Sequence, residues 1–284
     1  MDAPLAGVRV VSIAVNLPGP AAVARLARQG ADVVTVVPPG GDPMEQFARA
    51  YFDELHVGQE VRRVDLKSDA GRAEVDELLA AADVFVTSSR PSALRRLGLD
   101  FASVHARHPH VCQVDIVGYP GEQAETAGHD LTYQAGTGLL GEGGMPATLV
   151  VDLAGSERAA AEAAAALLAR ARVGAGVRRE VALSDLAETM SRPLVHGLTA
   201  PDGLLGGGLP AYGTYEAAEG RIALAALEPH FTARLLEVLG IPAEELSRER
   251  LERVFAGRTA DAWAAWAHEH DIPLTPLRPP RADR

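Results

Sequence analysis

The stretch VRVVSIAVNLPGPAAVARLARQGADVVTVV, residues 8–37, decides the class of fold. Val8 to Val15 is a short apolar run, the mark of a buried strand. NLPGP (16–20) breaks it, and AAVARLARQG (21–30) has helical spacing that stops at Gly30. ADVVTVV (31–37) is again a buried strand. Such a β-loop-α-β unit implies a parallel pair joined by a right-handed crossover. The turn NLPGP is not G-x-G-x-x-G, so the dinucleotide fingerprint is absent and NAD is not expected. Two prolines enclose Gly19, the second being Pro20, and stiffen a loop at a strand's carboxyl end. Open α/β sheets build their sites from such loops.

The alternation continues outward. Residues 69–82 read as helix, 83–89 as strand, 91–97 and 101–107 as short helices, and 110–119 as strand. A long helix follows TLVVDLAGSE (148–157), then a strand at 177–185 and a helix at 184–192. The expected class is α/β, a doubly wound parallel sheet of Rossmann-like form. TAPDGLLGGGLPAYG (199–213) is rich in glycine and proline and reads as a linker or domain crossing. Beyond it a smaller α+β unit is expected, with a strand at 221–227, helices at 230–239, 243–256 and 259–268, and an extended segment at 272–277. The expected domains are therefore 1–198 and 199–277, with a frayed tail at 278–284.

Composition narrows the function. The chain has 284 residues, 47% of them hydrophobic, enough for one large and one small core. A formal net charge of −11 argues against nucleic-acid binding. Cys112 is the only cysteine, so neither an intramolecular disulfide nor a cysteine zinc site is expected. HARHPH (105–110) and HEHD (268–271) lack a ligand spacing with a distant partner, and no metal is expected. The N-terminus lacks a leader pattern, and no long uncharged apolar run suggests a membrane span. A cytoplasmic protein is the expectation. Lys67 is the only lysine, and the basic groups Arg62, Arg63, Lys67 and Arg90, Arg95, Arg96 are the anchors available to an anionic ligand.

Three acid–base candidates stand at junctions. His129 lies in ETAGHDLTY (125–133), followed by Asp130. Asp152 ends the apolar run ATLVVD just before a helix, where an N-cap explains it well and where the dipole and free N–H groups would hold it ionised. Glu228 precedes Pro229 at a strand-to-helix junction and reads as a first-turn acid. GGG (206–208) is a flexible loop whose functional reading is a lid.

Several collinear stretches together resemble a family. They are LAGVRVVSIAVNLPGPAAVARLARQGADVVTVVPPGGDP (5–43), VDLKSDAGR (64–72), ADVFVTSSRPSALRRLGLD (82–100), RVGAGVRREVALSDL (172–186), GLPAYGTYEAAEGRIALAALEPHF (208–231) and FAGRTADAWAAW (255–266). They are similar to class III CoA-transferases, the group that includes formyl-CoA transferase and α-methylacyl-CoA racemase. The resemblance implies an acyl-CoA substrate, no metal or redox cofactor, and an interlocked homodimer. AGHD is closer to the racemase branch, where His129 and Asp152 would form the acid–base pair. Asp130 would orient the site, and Glu228 would support it from the small domain of a partner subunit. Arg90, Arg62 and Lys67, with Gly19 and Pro20 on the first loop, would meet coenzyme A.

The residue types suit the chemistry. Inverting the carbon next to a thioester carbonyl needs one base on each face, and an imidazole and a carboxylate can supply them. The enolate-like intermediate needs N–H donors. A CoA transfer would instead use Asp152 as a nucleophile that forms a mixed anhydride. The leading expectation is a racemase acting on a 2-methylacyl-CoA, and the alternative is a CoA-transferase.

The chain departs from the family pattern in its basic residues. The second-strand motif reads VVTVVPPG, with Thr35, Val37 and Pro38, and HVGQEV (56–61) puts Gln59 and Glu60 where the family has two cations. Fewer charge-assisted phosphate contacts follow. They favour a third reading, a member that binds a thioester or a protein without turnover. The sequence ends soon after IPLTPL (272–277), where family members continue for tens of residues back to the large domain.

Overall fold

The computed structural model describes residues 3–141 and 144–279. The chain divides into two compact units, Met1–Ser191 and Arg192–Arg284. Of the expected tail, residues 280–284 lie outside the described residues.

The first unit alternates strand and helix: β1 (Arg9–Ser12), α1 (Pro18–Arg28), β2 (Asp32–Val37), α2 (Pro43–Phe47), α3 (Arg49–Leu55), β3 (Glu60–Arg63), α4 (Asp69–Ala80), β4 (Val84–Thr87), α5 (Pro91–Leu97), α6 (Phe101–Arg107), β5 (Cys112–Val117), α7 (Asp130–Thr137), α8 (Val150–Val173), β6 (Arg178–Ala182) and α9 (Leu183–Val195). The six strands form one parallel sheet in the order β3-β2-β1-β4-β5-β6. Every residue of β4 and β5 is buried, as a strand covered on both faces must be. One face packs on α1 and α8 through Val23, Leu26, Ala159, Ala163 and Ala166, where alanine lets the long helix come close. The other carries Val75, Leu79, Leu94 and Val104 from α4, α5 and α6. Strand order reverses between β1 and β4, which opens a crevice at their carboxyl ends.

The expected α/β, doubly wound class is what the molecule has. The helix expected at 21–30 starts at Pro18, because Pro18 and Pro20 fit a first turn that needs no N–H from them. Gly19 sits there against Ala14, and a Cβ on it would come within 2.2 Å of the Ala14 Cβ. β3 went unread because it is a polar edge strand without an apolar run.

The second unit carries a three-stranded antiparallel sheet, β7 (Tyr212–Glu216), β8 (Arg221–Ala225) and β9 (Leu274–Pro276), in the order β7-β8-β9. Helices α10 (Pro229–Leu239), α11 (Arg248–Phe255) and α12 (Ala260–Glu269) cover it. Its separate core joins Tyr215, Ile222, Leu235, Leu251, Phe255 and Trp263. The helix expected at 243–256 is split, since Ser247 caps a new start at α11 by accepting from the Arg250 amide at 3.2 Å. The glycine run expected to be a loop forms one wide turn, Leu204–Gly208, with Gly207 at a φ of 116°. No helix of the described residues is long and apolar enough to cross a membrane.

Candidate active site

Carboxyl-end loops of the first unit meet in a small cleft of about 110 Å³, and both His129 and Asp152 line it. His129 stands just before α7, where its backbone amide donates to Thr132 Oγ1 at 3.0 Å. The residue is exposed, and with Thr132 it forms the capping box that starts α7. It is a surface histidine and not a core one.

Asp152 differs from its expected role. It is not the cap of α8 but lies inside the first turn, with Leu149 at the cap position. The cap comes from Asp130, whose Oδ1 accepts from the Val151 amide at 2.8 Å and the Asp152 amide at 3.0 Å. Gln134 donates to the other Asp130 oxygen. Asp152 is 9% exposed, and its carboxyl receives no hydrogen bond among the described residues. Burial, and then the charge of Asp130, push it up to about 7. The expectation that the helix start would hold Asp152 ionised is not met: burial and then the like charge of Asp130, which itself takes those N–H groups, push the carboxyl up.

Tyr133 completes the floor of the cleft. Burial, with the nearby Tyr119, Asp152 and Asp130, pushes its hydroxyl up to about 12. Gly118 and Gly128 make room for it, since a Cβ on either would come within 2.6 Å of the tyrosine. Tyr133 lies one helical turn beyond His129, and that spacing was its signal in the sequence.

A neighbouring cleft of about 220 Å³ shares His129, Asn16 and Ser88 and adds Ser89 and Arg90. Ser89 also lines a larger apolar cleft of about 650 Å³ under Pro38 and Pro39, which reaches Lys67 and Arg96. The basic residues sort into two groups. Arg62 is paired with Glu60 at 2.6 Å and Glu74 at 3.7 Å, Arg63 with Glu45 at 2.6 Å and Arg95 with Glu125 at 3.6 Å. Lys67, Arg90 and Arg96 have no such pair among the described residues, and they face the clefts. Arg96 had no distinguishing signal in the sequence. Gly19 and Pro20 are buried in α1 and line none of these clefts; Pro18 does. Thr35 and Gln59, two positions where basic residues were expected, satisfy each other through a 2.8 Å hydrogen bond.

Glu228 lies in the second unit, exposed, at the cap position of α10, where its carbonyl accepts from the Phe231 and Thr232 amides at 3.0 Å but its side chain makes no cap bond. Among the described residues no ion pair engages its carboxylate.

The sequence profile described as CoA-transferase family III matches residues 5–282. The chain belongs to CoA-transferase family III. Its family relatives include an alpha-methylacyl-CoA racemase from Mus musculus, 30% identical over 96% of this chain and 77% of its own length. A succinate–glutarate CoA-transferase from Agrobacterium fabrum is 31% identical over 84% of this chain and 67% of its own. A CAIB/BAIF family protein from Brucella suis has a similar solved structure, with a TM-score of 0.83, 25% identity, and coverage of 98% of this chain and 85% of that one. Family III thus contains both racemases and transferases among the relatives, and all of these named activities act on acyl-CoA.

Proposed function

We propose that this family III enzyme moves the α-proton of a 2-methylacyl-CoA from one face of the carbon to the other, with His129 and Asp152 as the two bases. The observation that carries this reading is that an exposed imidazole and a carboxyl pushed up to about 7 line one cleft. A carboxyl that titrates near neutrality exists in both protonation states there, as a two-way proton exchange requires. One base removes the α-proton and leaves an enolate; the conjugate acid of the other delivers a proton to the opposite face. Of the first amides of α7, those of Thr132 and Tyr133 donate to the His129 carbonyl, and those of Asp130 and Leu131 would be the donors offered to the enolate oxygen.

Coenzyme A would lie along the larger cleft, with Lys67 and Arg96 toward its phosphates and Arg90 nearer the thioester. Ser89, common to both clefts, marks the passage between them. Arg62, held by two glutamates, takes no part. Glu228 is assigned the supporting acid, contributed by a second copy in a homodimer.

A second reading is favoured by the Agrobacterium relative's name and by the unbonded Asp152 carboxyl. In it Asp152 attacks the thioester carbonyl and expels the CoA thiolate, leaving a mixed anhydride. An incoming carboxylate attacks the Asp152 carbonyl and expels the first acid as its carboxylate, which leaves a new mixed anhydride; the thiolate then attacks the new acyl carbonyl, forming the product thioester and releasing the Asp152 carboxylate.

Incubation in heavy water with (R)- and (S)-2-methylacyl-CoA separates the two. The racemase reading expects α-deuterium in both isomers, with a loss of roughly 100-fold or more in His129→Ala and Asp152→Ala. Hydroxylamine trapping at Asp152 without α-exchange would instead establish transfer. Absence of both with heat on titrating CoA or acetyl-CoA would leave a binding member without turnover, and absence of heat as well would leave both acyl-CoA readings without a ligand.

A further inference from the structure

We infer that Asp42 is a positioning residue for the proton-transfer cleft: its carboxylate grips the Asn16 amide and so fixes the NLPGP loop at the cleft's rim. This rests on the proposed function for its catalytic consequence, but the grip itself is structural.

Asp42 is wholly buried and uses both oxygens. Oδ1 accepts from the Met44 amide at 2.8 Å, which caps α2. Oδ2 accepts from the Asn16 amide at 3.1 Å, 26 residues away in sequence. Asn16 has a φ of 66°, a left-handed conformation that asparagine tolerates better than most side chains but that still needs outside support. Asn16 lines both clefts that His129 lines, so a shift of this loop changes the wall opposite the imidazole.

The residue before it is tied from β4. Val15 donates through its amide to Ser88 Oγ at 3.0 Å, and Ser88 Oγ donates to the Val15 carbonyl at 3.3 Å. Behind the loop, Gly19 is pressed against Ala14. The loop is therefore held at successive residues by groups far away in sequence. Removing the Asp42 contact frees the one residue whose conformation is intrinsically unfavourable.

A helix cap alone would not require this arrangement. A serine supplies the single oxygen that a cap needs. A carboxylate sunk in the protein is opposed by desolvation, and burial does push the Asp42 carboxyl up. The second oxygen, directed at Asn16, is the feature that a shorter capping residue could not reproduce.

The difference in reach makes the test. Asp42→Ser keeps an oxygen for Met44 but is too short for Asn16; Asp42→Ala loses both contacts; Asp42→Asn keeps the shape with one acceptor oxygen. Three readouts apply: kcat and KM for α-deuterium exchange, the thermal midpoint, and amide exchange of a peptide spanning residues 13–22. Asp42→Ser is expected to regain most of the midpoint lost in Asp42→Ala, yet to keep a kcat about 10- to 100-fold down with KM within about threefold of wild type. Faster amide exchange at 13–22 should accompany it, with Asp42→Asn intermediate. Wild-type kcat and wild-type protection in Asp42→Ser would overturn the inference and leave Asp42 a cap. Should Asp42→Ala not fold, the serine and asparagine variants carry the comparison. If the wild-type protein exchanges no α-proton, the proposed function falls, and amide protection alone decides the grip: unchanged protection in Asp42→Ser refutes it.

Discussion

At the scale of single residues, Asp152 is where function and stability oppose each other. Its carboxyl is raised from 3.8 to about 7, chiefly by burial, so the folded protein binds a proton that the unfolded chain releases. Stability from this group is fully present below pH 3.8 and is lost as pH rises through about 7. The loss amounts to something on the order of 4 kcal/mol by the usual conversion between proton affinity and free energy. Asp152→Asn, a neutral mimic, should unfold at higher urea than wild type, with a gap that widens from pH 5 to 7 and levels off above; a gap independent of pH refutes this. In the exchange reaction, one limb of the pH–rate profile should fall near 7. Asp130→Asn removes a neighbouring negative charge and should lower the Asp152 titration, which carboxyl carbon NMR can follow. No movement would mean that burial acts alone.

Among elements, the decisive contacts join segments distant in sequence. Asp130 at the start of α7 caps α8, and this single carboxylate ties the turn that carries Asp152 to the residue next to His129. The β1–α1 corner depends on Gly19. Gly19→Ala should destabilise the protein by about 1–3 kcal/mol through overpacking against Ala14, because the clash is with a side chain that cannot swing away. Chemical denaturation measures it, and a wild-type midpoint would contradict the close approach. Most elements were legible along the chain since buried parallel strands are continuous apolar runs and helices keep their period. The exceptions explain themselves. β3 is polar because it is a sheet edge, and β7 was absorbed into the glycine-rich linker because YGTYE follows that run directly.

On the scale of the whole molecule, a chain of net charge −11 is asked to receive an anionic thioester. The unpaired Lys67, Arg90 and Arg96 give the clefts a local sign opposite to that of the protein. Lys67→Ala and Arg96→Ala should each weaken CoA binding by about tenfold, as expected for a charge-assisted hydrogen bond. Arg62→Ala should leave it unchanged, since that guanidinium is already engaged by Glu60 and Glu74. Calorimetric titration discriminates; equal losses from Arg62 and Lys67 would mean that the pairing with glutamate does not govern access.

Local sequence was sufficient for the α/β class and the Rossmann-like alternation, because hydrophobic period and turn chemistry are written residue by residue, and the family was legible through the resemblance of several collinear stretches. His129, Asp130, Asp152, Lys67 and Arg90 became candidates through that resemblance. The ionisation of Asp152 could not be read this way, because it is set by burial and then by the charge of Asp130, which folding brings in from 22 residues away. Nor could the sorting of arginines into paired and unpaired, or the hold of Asp42 on Asn16. Those are settled by which side chains folding brings within hydrogen-bonding reach, and distance along the chain carries no record of it.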